Sequence, residues 1–448
     1  MTKQTSNPPA DQGIRRIAIT GFKSLLHRQE IEVRHLTILA GANSSGKSSI
    51  MQPLLLLKQT LEAPYDPGAL KLDGPNVRYT AAEQFLARKQ QGGMVNGFKV
   101  ELSIIPPDSA GDRLDLTFEK RAKAPIDVVE TTTTAPSGDV TVRTDMTSGK
   151  IRSLLMKYEQ GDALKSLIAK GHQTYRIARN RSFLSIQYEG NRAAGSYSDY
   201  FDYTPEKQVI LDIIHLRGLR GNPERQYPVA AFGEQFPGEF ERYVAGILSA
   251  WKIKHNKAAL EAVGEDLLEL GLTWKVEARA VSETQVELYV GRMPRPKSGG
   301  ARDLVSIADV GFGVSQTLPV VVALHVARPG QLVYIEQPEI HLHPRAQVAM
   351  AGVLARAAQR GIRVVCETHS AHILLALQSL VAEEALSPEL VALHWFTRKE
   401  GITTIQPGRL DKTGAYGDWP EDFSDVILQQ EGRYLDAAGE RAEEAATK

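Results

Sequence analysis

The stretch "LTILAGANSSGKSSIMQPLLLL" (residues 36–57) decides how this chain is read. Leu36 to Ala40 is a short apolar run, partly β-branched, and predicts a buried strand that ends at Gly41. Gly41-Ala-Asn-Ser-Ser-Gly46-Lys47-Ser48 then satisfies every fixed position of the G-x-x-x-x-G-K-[ST] phosphate loop. Glycines let the backbone curl, so that N–H groups around Asn43, Ser44, Ser45 and Gly46 point at phosphate oxygens. A helix from about Ser48 and Ser49 adds its positive end. Lys47 reaches the outer phosphates and the Ser48 hydroxyl is a Mg²⁺ ligand. Pro53 falls early in this helix and is expected to kink it. A chance match in a Gly/Ser-rich loop is the alternative; the strand before and the apolar helix after argue against it. The motif implies a nucleoside triphosphate site.

The far end of the chain shows a βα rhythm: "LVYIEQ", "RAQVAMAGVLARAAQRG", "IRVVCETHS", "AHILLALQSLVAEE", "LVALHWFT". Buried strands alternating with amphipathic helices predict a parallel sheet with ligands at the strands' carboxyl ends. "EQPE" and "ETHS" occupy such ends and can meet the phosphate loop. Glu336 is placed to hold Mg²⁺, directly or through water, and His369 to lie near the γ-phosphate. His341, His343, His369 and His372 raise the question of zinc, but no cysteine accompanies them, and for His343 a packing or hydrogen-bonding role is the plainer reading.

Over 448 residues, Lys+Arg and Asp+Glu number 53 each, so any surface for nucleic acid must be local. The single cysteine, Cys366, excludes a disulfide framework and fits a reducing, cytoplasmic setting. No apolar run is long enough to span a bilayer, so no membrane partner is expected. Residues 1–13 are polar and Pro-rich and read as a disordered tail. The head is expected in two parts, 14–95 with the phosphate loop and 303–405 with the later motifs. An α+β insertion over 96–302 would separate them, and a docking segment over 406–448 would follow.

The insertion shows strand alternation ("FKVELSII", "RLDLTFEK"), helical stretches ("IRSLLMKYEQGDALKSLIAKG", "EFERYVAGILSAWKIKHN", "KAALEAVGEDLLELG") and strands ("LTWKVEARAV", "TQVELYVGR"), without a heptad or tandem repeat. Arg176, Arg179 and Arg181 interleave with Tyr175 and Phe183. Arg292, Arg295, Lys297 and Arg302 share a Pro/Gly-rich loop. Such groups could contact nucleic-acid phosphates and stack unpaired bases; a solvated charged face is the plainer reading of either. "HLRGLRGNPER" (215–225) reads as a loop reaching the nucleotide or a partner subunit.

The phosphate loop, "GFKS" (21–24), "DVGFGVSQTLP" (309–319), "IEQPEIHLHP" and "ETHSAHIL" together resemble the ABC-type ATPase heads of the AAA family. That group includes the overcoming-lysogenization-defect nucleases, RecF and the structural-maintenance-of-chromosomes proteins. The closest likeness is to bacterial ATPases with a C-terminal domain of unknown function, marked here by "TGAYGDWPEDFSD" (413–425). The resemblance implies an α/β P-loop NTPase with a mostly parallel sheet and N-terminal antiparallel strands. It implies ATP and Mg²⁺ as cofactors, Lys47 and Ser48 as ligands, Glu336 as the metal-side acid and His369 as the switch histidine. In such heads nucleotides are sandwiched between paired subunits, so an ATP-linked homodimer or higher oligomer is implied. The signature would be Gly311–Gln316. Phe312 takes the place of the serine that touches the γ-phosphate of the partner's nucleotide; Gly313 still permits close backbone approach and Ser315 is the substitute hydroxyl.

Gln337 stands where such ATPases carry a water-activating glutamate. An amide cannot accept a proton, although it can orient water. Glu339 remains near, and Glu336 could carry more of the load. Slow hydrolysis of ATP is therefore expected, with a pure ATP-binding clamp as the alternative. The segment after His369 is short and lacks clustered acids, so no nuclease activity is expected. The expected role is a sensor or switch for a separate effector protein, in DNA-related work or anti-phage defence. A DNA-repair clamp and, further off, a transporter's cytoplasmic motor are the rivals.

Overall fold

The computed structural model describes residues 12–105, 112–135, 138–158, 174–189, 197–199, 204–229, 233–292, 303–417 and 433. Strands β1 (Gly13–Thr20) and β2 (Gln29–Glu32) form an antiparallel pair ahead of the buried β3 (Leu36–Gly41) and helix α1 (Lys47–Leu61). Helix α1 runs continuously through Pro53, although proline forfeits an intrahelical hydrogen bond. Strands β4 (Gly97–Ile105), β5 (Asp112–Lys120), β6 (Ile126–Ala135) and β7 (Gly138–Arg143) extend the first pair into a six-stranded antiparallel sheet, ordered β2-β1-β4-β5-β6-β7. The alternation read in "FKVELSII" is seen directly: every second residue of β4 is buried.

Helix α2 (Ser148–Tyr158) follows, and the rest of the helix expected there, residues 159–171, lies outside the described residues. Strands β8 (Thr174–Asn180), β9 (Phe183–Glu189) and β10 (Tyr197–Asp199) make a small antiparallel sheet. Next come α3 (Thr204–Leu211), β11 (Ile214–Leu216) and β12 (Tyr227–Pro228). Helices α4 (Val244–Ile253) and α5 (Lys257–Glu269) lead into β13 (Val276–Ala280), β14 (Gln285–Gly291) and β15 (Leu304–Ser306). The last run is α6 (Phe312–Val326), β16 (Leu332–Glu336), α7 (Pro344–Gln359), β17 (Arg363–Thr368), α8 (Ala371–Ala382), β18 (Val391–Lys399) and β19 (Ile402–Gly408).

The central sheet is ordered β11-β16-β17-β3-β18-β19, parallel from β11 to β18 and antiparallel at β19. Its interior strands are buried on both faces, as a parallel sheet covered twice must be. Leu39, Tyr334 and Val365 share one core with Leu54 of α1 and with Ile17, Val100 and Leu116 of the antiparallel sheet. Ile38, Val364 and Cys366 face the opposite core, with Leu318, Leu354 and Leu377 of the later helices. Helix α1, buried on nearly every side, thus lies between two sheets. Two segments of the stretch expected as an insertion, one at its start and one near its middle, are woven into the head's sheets. Residues 97–143 complete the sheet begun by β1, and Ile214–Leu216 pairs with β16. No helix among the described residues is long and apolar enough to cross a membrane.

Candidate nucleotide site

The loop from Gly41 to Gly46 is built on left-handed backbone at Gly41 (φ 145°), Ser44 (φ 61°) and Gly46 (φ 102°). At Gly46 a side chain is also excluded by space: a Cβ would fall 2.4 Å from Thr403 Oγ1 and 2.8 Å from Ser24 Oγ. Those hydroxyls are part of a brace. The Thr403 hydroxyl donates to the Ser45 carbonyl at 2.7 Å and lies 2.7 Å from Ser24 Oγ, whose hydroxyl can donate back to it. Arg398 donates to the Ser44 carbonyl at 3.3 Å. The β18–β19 hairpin therefore holds the loop from behind, a role with no signature in the sequence. The Lys47 ammonium donates to the carbonyls of Gly41 (3.0 Å) and Ala42 (2.8 Å).

Sheet order decides which acid meets the loop. Strand β17 inserts between β3 and β16, with Glu367 in register with Leu39 on one side and Glu336 on the other. Neighbouring strands lie about 4.8 Å apart, so Glu336 is two strands from the loop and Glu367 only one. The Ser48 hydroxyl accordingly donates to Glu367 Oε2 at 2.8 Å. The Tyr334 hydroxyl donates to the other oxygen, Oε1. Glu367 went unassigned in the sequence, although "ETHS" put an acid at a strand end two residues before His369. Glu336 is held elsewhere: His215 Nε2 lies 3.1 Å from its Oε1, and the Gly218 N–H donates to Oε2 at 3.2 Å.

Electrostatics sort these acids. Burial and the facing charge of Glu336 raise Glu367 to about 7, against hydrogen bonds from Tyr334 and Ser48 and the pull of Lys47. Burial lowers Lys47 to about 8, opposed by Glu367 and Glu339. Burial thus favours the neutral form of each partner while their attraction opposes it. Glu336 lies below the usual range: burial pushes it up, but His215, the Gly218 N–H and Arg220 together outweigh that. Burial raises Glu339, whose Oε1 accepts the His369 N–H at 2.7 Å. Burial and Lys47 lower His369 against a hydrogen bond to the Gly41 backbone.

A cleft of about 910 Å³ opens over the loop. Asn43, Ser44, Gly46, Lys47, Ser48 and Ser49 line it, with Gln337, Glu367 and His369 across from them. Lys23 and Ser24 of "GFKS" and Arg398 line it as well. Glu336 and Glu339 are not part of the wall. The residues present fit a triphosphate with magnesium: a cation and a hydroxyl–carboxylate pair face the cleft.

The other sequence candidates are placed as follows. Gly311 caps helix α6, and Phe312 is exposed beside His341, with ring centroids 5.9 Å apart. The Ser315 hydroxyl turns inward to the Phe312 carbonyl (3.1 Å), and Gly313 packs toward Leu272 and the His341 carbonyl. His343 caps helix α7 by accepting from the Arg345 N–H. Among the described residues no cluster of His, Cys, Asp and Glu could hold a metal ion by itself. Arg179 forks onto Asp66 at 3.0 Å through both nitrogens, Arg181 donates to the carbonyls of Leu61 and Ala63, and Arg176 to Gln187. That stretch is engaged within the fold. Arg292 is exposed, and Arg295, Lys297 and Arg302 lie outside the described residues, as do 418–425 of the C-terminal segment.

Residues 176–376 match the model of the family described as "AAA domain, putative AbiEii toxin, Type IV TA system". The matched stretch is similar to that family's AAA domain and makes up less than half of the chain. It contains the acids of β16 and β17 and His369, whereas the phosphate loop precedes it. No protein of curated function matches the chain in sequence. In fold the chain is similar to an SMC head bound to the C-winged helix domain of ScpA, with 11% identity, 89% of this chain and 98% of that one covered, and a TM-score of 0.49. It is similar to the SMC head domain from Thermotoga maritima (11% identity, 88% and 98% covered, TM-score 0.40). A third likeness is to the SMC head with an extended coiled coil, bound to the C-terminal domain of ScpA and derived from Pyrococcus furiosus (11% identity, 94% and 99% covered, TM-score 0.47). The chain has an α/β fold in which the phosphate-loop sequence lies between β3 of a mostly parallel sheet and helix α1.

Proposed function

We propose that this chain binds ATP with Mg²⁺ in the cleft over residues 41–48 and hydrolyses it slowly. The observation that carries this reading is the Ser48–Glu367 hydrogen bond, with the Lys47 ammonium beside it. Ser48 and Glu367 would hold the metal, with Glu336 one strand further away, and the metal would supply charge neutralisation at the phosphate oxygens. Lys47 adds a fixed positive charge and His369 closes the facing wall. Gln337 lines the cleft and can orient water, but it cannot take the proton. Glu339, the remaining candidate base, has one oxygen committed to the His369 N–H. Turnover rests on positioning and electrostatics, which makes it slow.

The same proposal gives the head an ATP-linked pairing of two copies, or a higher assembly, that switches a separate effector. The description of the matched family names a toxin–antitoxin system, which supports a defence setting. Three measurements test this. Phosphate release and nucleotide affinity of the purified chain come first; a wild-type protein with no affinity for ATP sinks the whole reading. Sizing with and without ATP tests the pairing. Copurification from the native operon tests the effector. Stimulation of turnover by duplex or single-stranded DNA would instead favour a clamp.

A further inference from the structure

The segment "HLRGLRGNPER" is unexplained by the nucleotide reading, and its Arg220 makes an unusual set of bonds. Arg220 is buried, 7% exposed, and its hydrogen-bond acceptors are all uncharged oxygens. Its Nη1 donates to the Gln316 carbonyl (3.1 Å), and its backbone N–H to Gln316 Oε1 (2.9 Å). The Gln316 amide returns a hydrogen bond to the Gly221 carbonyl, which fixes the loop against α6. The other arm, Nη2, donates to the carbonyl of Glu336 at 2.8 Å. Glu241, Glu336 and Glu339 lie near enough to favour its charge, but among the described residues none forms an ion pair with it, and an apolar side chain would fill the space at lower cost.

The carbonyl it grips belongs to the peptide joining Glu336 to Gln337. The N–H of that same peptide donates to the Glu367 carbonyl of β17 at 2.9 Å. The peptide is therefore held at both ends, and Gln337 immediately after it sits in the left-handed region, at φ 46°. That conformation is unfavourable for a side chain with a Cβ, and it persists only where the surroundings enforce it. With its backbone fixed this way, Gln337 lines the cleft, its amide oxygen beside Gly218.

We infer that Arg220 is a positioning residue that clamps the Glu336–Gln337 peptide and thereby aims the Gln337 amide into the nucleotide cleft. Through Gln316, the clamp also ties the first turns of α6 to the acid-bearing strand end. Its catalytic consequence rests on the ATP reading above; the clamp itself does not.

Arg220→Met, which keeps the bulk of the side chain and removes its donors, tests the clamp in the full-length chain alongside Gln337→Gly and the double variant. Hydrogen exchange at the Gln337 amide, followed without nucleotide, should accelerate about tenfold or more in Arg220→Met, with the flanking strand residues protected as before. In steady-state assays Arg220→Met should lower kcat about tenfold while ATP affinity stays within about twofold. Placed on Gln337→Gly, which has no amide to aim, Arg220→Met should lower kcat no further. Unchanged exchange at Gln337, or an equal fall of kcat on both backgrounds, overturns the inference. If Arg220→Met does not fold, Gln316→Ala loosens the same clamp from its far side and must give the same pattern. If the wild-type chain binds no ATP, the functional reading fails, and the exchange measurement still decides the clamp.

Discussion

The Ser48 hydroxyl donates to Glu367 Oε2 at 2.8 Å, joining the first turn of the phosphate-loop helix to the strand next door. Magnesium bound in the cleft would be shared between these groups, so Glu367 is expected to matter more to metal than to nucleotide. Glu367→Gln keeps the hydrogen bond to Ser48 but loses the charge. Its affinity for ATP with Mg²⁺ should fall about tenfold, while its affinity for ATP in excess chelator stays close to wild type. Equal loss under both conditions would show that Glu367 serves the loop's structure and not a cation.

The same residue sets a pH dependence of stability. Glu367 titrates near 7 in the folded chain, against 4.5 ordinarily. Between those values the folded state binds more protons than the unfolded one, so this group's contribution to stability declines as pH rises. The decline ends above 7, at a destabilisation of up to roughly 3 kcal/mol. Thermal unfolding without nucleotide should therefore find Glu367→Gln more stable than wild type at pH 8 and similar at pH 4.5. Parallel curves for the two proteins across this range would contradict it.

Lys47→Ala removes the fixed cation without disturbing the apolar faces of α1. Nucleotide affinity should be lost, by a hundredfold or more on the order of 3 kcal/mol, with the fold retained by circular dichroism. A variant that still binds ATP tightly would place the triphosphate elsewhere.

Glu339→Gln separates binding from chemistry. Its carboxylate accepts the His369 N–H, and the amide oxygen of the variant can do the same. ATP affinity should hold within about twofold and turnover should slow by about tenfold. Normal turnover in this variant would remove Glu339 from the reaction.

The hairpin behind the loop makes its own prediction. In Thr403→Val the Ser24 hydroxyl and the Ser45 carbonyl lose their partner, which should cost about 1–3 kcal/mol of stability in denaturant titration. Gly46→Ala should be worse, because the left-handed backbone and the contacts at Ser24 and Thr403 both resist a Cβ. If Gly46→Ala binds ATP and unfolds as wild type does, the brace is not rigid.

Much of this was legible in the chain itself. Gly41 to Ser48 specifies strand, loop and helix through local geometry: which residues tolerate left-handed φ, and where an apolar run begins. The rhythm from Leu332 to Trp395 specifies a buried parallel sheet, because doubly covered strands must be apolar throughout. Those are short-range constraints, and sequence carries them well. The placement of Glu367 between loop and Glu336, the brace from Thr403, and the grip of Arg220 on a peptide more than a hundred residues away arise from strand order and long-range contact. No local pattern encodes which strand will insert between two others; that follows from how the two cores close on the opposite faces of the central sheet. Tertiary structure alone decided which acid meets the phosphate loop.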